Sequence, residues 1–108
     1  MKTDSFAGTW TGTAHNNNGW DMEITISISG LFEVGSKLGT YTIPEIPCSG
    51  TFRVLEMRGE TLELKAENQQ GDCGEADSDS LESLSDGTLL YVSKGEGWEA
   101  RGVLQRAN

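Results

Sequence analysis

The segment WDMEITISIS, residues 20–29, alternates without a break. Trp20, Met22, Ile24, Ile26 and Ile28 share one parity, and Asp21, Glu23, Thr25, Ser27 and Ser29 share the other. Successive side chains of a β-strand point to opposite faces, so this run is a strand with one buried and one wet face. Such a strand needs antiparallel neighbours that present apolar residues on the same side.

The rest of the chain supplies them. FAGTWTGTA, residues 6–14, comes first and is joined to the alternating run by NNNG, residues 16–19, whose Asn-Gly pair is a strong hairpin signal. LGTYTIPEI, residues 38–46, places Tyr41 and Ile43 on one side and must stop at Pro44 and Pro47, which have no amide to give to a ladder. In GTFRVLEMR, residues 50–58, Phe52 and Val54 share one parity while Leu55 and Met57 share the other, a conflict that a β-bulge near Val54 and Leu55 resolves. TLELKAEN, SLESLS, TLLYVS and WEARGVLQR complete the series, the last with Trp98, Ala100 and Leu104 on one face. Gly30 and Gly35 interrupt the pattern between the second and third strands. No segment holds a helical period. Eight short strands joined by tight turns predict an all-β chain, a small eight-stranded antiparallel up-and-down β-barrel, with a β-sandwich as the alternative. A closed barrel has no edge strands to protect. At 108 residues the chain is expected to be one domain, residues 1–108, with one modest core.

The charge narrows the partners. Eight Lys and Arg against 17 Asp and Glu give −9 at pH 7, a field that repels nucleic acid and anionic membrane surfaces. No apolar run is long enough to insert in a bilayer. The opening MKTDSFAGTW carries no apolar signal-peptide core, so the chain is expected to be cytoplasmic, or to have lost an export signal. The two cysteines, Cys48 and Cys73, and the single His15 are too few for a structural zinc site, and no cofactor or metal is expected. The cysteines form either a disulfide or two buried thiols.

FAGTW resembles the opening of lipocalins and avidins, where Gly-x-Trp begins the first strand of the barrel and the Trp plugs one end; the resemblance assigns that place to Trp10. A longer stretch, GTYTIPEIPCSGTFRVLEM with a later lone Cys, DGTLLYV and a final Gly-x-Leu strand, is similar to small bacterial extracytoplasmic β-modules. These occur at the C-termini of membrane-anchored serine/threonine protein kinases and in secreted proteins. The match runs in order over residues 8–106, although the chain shows no kinase segment and no anchor. The resemblance implies a calycin-type fold, an extracytoplasmic or secreted location and a bridge between Cys48 and Cys73. By the chain-entropy estimate a loop of that length stabilises by about 3–4 kcal/mol.

For chemistry, His15 is the one side chain that titrates near neutrality without help. It is either a base or ligand contact at a barrel mouth, or an exposed turn residue. The acidic run with Glu75, Asp77, Asp79 and Glu82 offers oxygens to calcium, but without the spacing of a calcium loop it is expected to be a solvated loop. The expectation is therefore a non-enzymatic module binding a small apolar or carbohydrate-like ligand, or a partner, through His15, Asn16, Asn18, Trp20, Tyr41 and Trp98. The first alternative is an accessory scaffold whose barrel is filled, because eight strands enclose a space that side chains alone can fill. A third reading is an enzyme using His15.

Overall fold

The computed structural model describes residues 6–28, 33–71 and 76–107. Eight strands form one closed antiparallel barrel in chain order: β1 (Gly8–Asn16), β2 (Asp21–Ile28), β3 (Lys37–Ile43), β4 (Cys48–Arg58), β5 (Thr61–Gly71), β6 (Ser78–Ser83), β7 (Leu89–Gly95) and β8 (Trp98–Arg106). The barrel, rather than the sandwich, is the architecture, and no described residue is helical.

Strand parity sorts the side chains as expected. Ile24, Ile26 and Ile28 of β2 are buried, as are Tyr41 and Ile43 of β3 and Leu62 and Leu64 of β5. β3 ends at Ile43, and Pro44 and Pro47 lie in the turn before Cys48. The bulge in β4 sits where the parity conflict put it. Val54 pairs with Leu64 and Glu56 with Glu63, so Leu55 is the extra residue and faces solvent. Gly30 lies outside the described residues.

β6 departs from expectation. It begins at Ser78, within the acidic run expected to be a solvated loop, and β5 runs on to Gly71, past the end of TLELKAEN. Five residues are therefore in register with neighbours: Ser78, Asp79 and Ser80 pair with β7, and Gln70 and Gly71 pair with β4, while Gln69 lies between paired positions. The reason is the ladder itself. An antiparallel neighbour satisfies the backbone groups of a polar segment as well as those of an apolar one.

Closure joins β1 to β8, with Trp10 opposite Arg106 and Asn16 opposite Ala100. Gly12 lies in this seam. A Cβ there would stand 2.5 Å from the Val103 carbonyl oxygen, so only glycine lets the two strands approach this closely. At the end of the barrel where β1 begins, Trp10 is fully buried. Its Nε1 donates to the Phe6 carbonyl at 2.9 Å, and the Arg106 guanidinium lies 4.4 Å from the ring centroid. Arg106 Nη1 also donates to the Ala7 carbonyl at 2.6 Å. The aliphatic core of Leu38, Leu62, Leu81, Leu89 and Leu104 packs behind Trp10 and fills this end of the barrel.

Truncating Trp10 removes the largest side chain of that core. Trp10→Ala is expected to lower stability by about 3–5 kcal/mol, read as a fall in the urea midpoint. An unchanged midpoint would show that the filled end does not depend on the indole.

Candidate functional site

The opposite end of the barrel is hollow. A cavity of about 340 Å³ opens there, bordered by the β1–β2 and β3–β4 turns and by the starts of β6 and β8. Side chains thus fill one half of the interior, and the other half is open. Apolar walls come from Met22, Ile43, Ile46, Phe52, Ala66 and Ala100. Tyr41 stacks on Phe52, with centroids 4.5 Å apart and planes at 22°. Gly50, opposite Tyr41 on β4, makes this possible, since a Cβ there would lie 2.9 Å from the Tyr41 ring and hydroxyl.

Of the residues expected at a mouth, Asn16, Asn18, Trp20, Tyr41 and Trp98 line the cavity. Trp20 stands at the rim and is 53% exposed. Trp98 opens β8 beside it, because Asn16 of β1 pairs with Ala100. The amides of NNNG build the lip. The Asn16 side-chain oxygen accepts from the Asn18 amide at 2.8 Å, and the Asn17 side-chain oxygen accepts from the Glu99 amide at 3.2 Å. These bonds tie the β1–β2 turn to itself and to β8.

His15 is not part of the site. Its side chain is 66% exposed on the outside of the barrel, with Nδ1 2.8 Å from Asp21 Oδ1. Parity explains this: Trp10, Ala14 and Asn16 point inward, so His15 points out. An exposed pair of this kind contributes little to stability.

Three polar residues outside the expected ligand-binding set enter the cavity: Asp79, Ser93 and Gln69. Asp79, read as part of a solvated acidic loop, is instead buried at 4% exposure inside the barrel. Ser93, its partner across the β6–β7 ladder, hydrogen-bonds to it, and the Tyr91 hydroxyl lies 3.4 Å from Asp79 Oδ1. Gln69 reaches inward because of a second bulge. Ser49 pairs with Gln70 but Thr51 with Glu67, so β5 carries one extra residue, and Asn68 absorbs it at a positive φ of 53°. Asn is among the few residues that adopt this conformation readily. Gln69 Nε2 then donates to the Tyr41 hydroxyl at 2.8 Å.

The electrostatics centre on Asp79. Burial raises its pKa above the ordinary carboxylate value, and the hydrogen bonds from Ser93 and Tyr91 offset this only in part. Burial, together with the Asp79 charge, likewise pushes the Tyr91 hydroxyl well above its usual range. Burial raises the Tyr41 pKa too, opposed by the bond from Gln69 and reinforced by Asp79. Among the described residues lining the cavity there is no lysine, arginine or histidine. No cluster of three metal-ligating side chains occurs among the described residues.

Cys48 is buried at the cavity wall, with Sγ 3.9 Å from the Tyr41 hydroxyl. No free cysteine occurs among the described residues. Cys73 and Glu75 lie outside the described residues.

No protein-family model, curated protein or solved structure matches this chain.

The raised pKa of Asp79 has a definite sign in stability. The folded protein holds the proton more tightly than the unfolded chain does. Stability from this group is therefore full below the ordinary carboxylate pKa and is lost as pH rises through the raised folded value. Asp79→Asn removes the charge at nearly constant shape. Thermal melts of both proteins from pH 4 to 8 are expected to show the variant gaining on the parent as pH rises. A difference that stays flat across this range would mean that Asp79 titrates alike in the folded and unfolded states.

Proposed function

We propose that this protein is a non-enzymatic binding module of calycin type that takes a small ligand in the open end of its barrel. The cavity carries the reading. Its volume lies at the small end of the range for ligand sites, and it combines apolar walls with a few polar groups, which is how such sites join affinity to orientation. Two indoles at the rim add apolar surface with a polar edge. The ligand class proposed from these features is a small, largely apolar or carbohydrate-like molecule. The resemblance to modules of membrane-anchored bacterial serine/threonine kinases and of secreted proteins supports an extracytoplasmic location. It also supports a Cys48–Cys73 disulfide, with which the buried, non-free state of Cys48 agrees.

Tryptophan fluorescence during a small-molecule screen tests the binding reading. Trp20 and Trp98 border the cavity, whereas Trp10 lies in the filled half and serves as an internal reference. A ligand is expected to change the emission of the parent, less that of Trp20→Phe, and not that of Trp20→Phe/Trp98→Phe. A broad library without any response would leave the scaffold reading in its place. The disulfide is tested by intact mass. Exported protein is expected to gain two hydrogens on reduction, and titration of two thiols without reductant would refute the bridge.

A further inference from the structure

We propose that the cavity selects small organic cations, amines or quaternary ammonium compounds, and that Asp79 is the residue that receives their charge. This inference rests on the binding reading above and specifies the ligand for the same cavity.

Asp79 is the one carboxylate buried among the described residues, and it borders the cavity. Its protein partners, Ser93 and Tyr91, are neutral hydroxyls. A carboxylate has about four lone-pair positions, so two hydroxyl donors leave capacity toward the open space. A buried charge is normally paired, and the described lining supplies no cation to do so. A ligand ammonium would provide the missing charge.

The walls fit the same ligand. Trp20, Trp98, Tyr41, Phe52 and Tyr91 all border the cavity. The faces of such rings carry negative potential and attract cations, most strongly where water is excluded. The net charge of −9 draws cations toward the protein and repels anions before any contact is made. Carboxylates and phosphates would meet Asp79 as a like charge. A neutral sugar would meet no such penalty, but it would leave the carboxylate uncompensated. The volume of about 340 Å³ suits one ring with a short arm rather than a long acyl chain.

A matched series separates these possibilities: 2-phenylethylamine, 2-phenylethanol and phenylacetate, titrated by calorimetry into the full chain at pH 7. The amine is expected to bind about 10- to 100-fold more tightly than the alcohol, the gain usual for hydrogen bonds to charged groups, and phenylacetate more weakly than either. In Asp79→Asn the preference for the amine over the alcohol should disappear, and binding of the alcohol at any measurable affinity shows that the cavity is intact. Choline against 3,3-dimethylbutan-1-ol repeats the charge comparison on the unmodified protein, so the test does not depend on the variant folding. Equal binding of charged and neutral members, or a variant that keeps the preference for the amine, overturns the cation inference and leaves the binding module standing. Failure of all five compounds alongside a response to other library members has the same meaning. Failure of every compound removes both readings.

Discussion

The pairing of β1 with β8 is the constraint on which the remaining structure depends. Until those strands meet, the inward faces of all eight enclose nothing, and the residues on them have no common interior. Trp10 and Arg106 stand opposite each other in this pairing, so the ring, the guanidinium above it and the two backbone carbonyls they engage fasten the first and last strands together. The glycine at position 12 lets the seam close without a side chain wedged into it. Contacts between β1 and β8 are far apart in sequence, so they form at a high cost in chain entropy. Placing the largest core side chain at that point concentrates the return where the cost is greatest.

The barrel divides along its length. At the Trp10 end, leucines and isoleucines of neighbouring strands pack together. Toward the other end the inward positions become Ala66, Ala100, Ser93, Asp79 and Gln69, which are small or polar, and the aromatic rings lie against the wall. The same strands thus contribute stability at one end and chemistry at the other. A buried carboxylate is tolerated because the aliphatic half carries the packing.

Much of this was legible in the chain, and for a physical reason. Parity is a local property, so the apolar face of β2, the stop at Pro44 and the bulge beside Leu55 could all be read without knowing the neighbours. His15 could have been read correctly by the same rule, since an odd number of positions separates it from Trp10. Its single-imidazole chemistry drew attention to it instead. Asp79 and Gln69 were different. Asp79 shares its parity with the buried Leu81, but the alternating Asp and Ser residues give no local sign that the strand begins as early as Ser78. Gln69 points inward only because Asn68 takes up an extra residue, and that depends on the register with β4.

The bulge at Asn68 also gives β5 something like a reading frame. Residues 62, 64 and 66 face the interior, and after the slip it is 69 rather than 68 that does so. Were the strand regular through Asn68, residue 68 would face the interior and 69 the solvent, exchanging wall for surface along the last stretch of the strand and leaving the aliphatic half untouched. A lineage of such barrels could therefore rewrite the lining of its cavity by moving a bulge along a strand, without replacing any of the side chains that compose it.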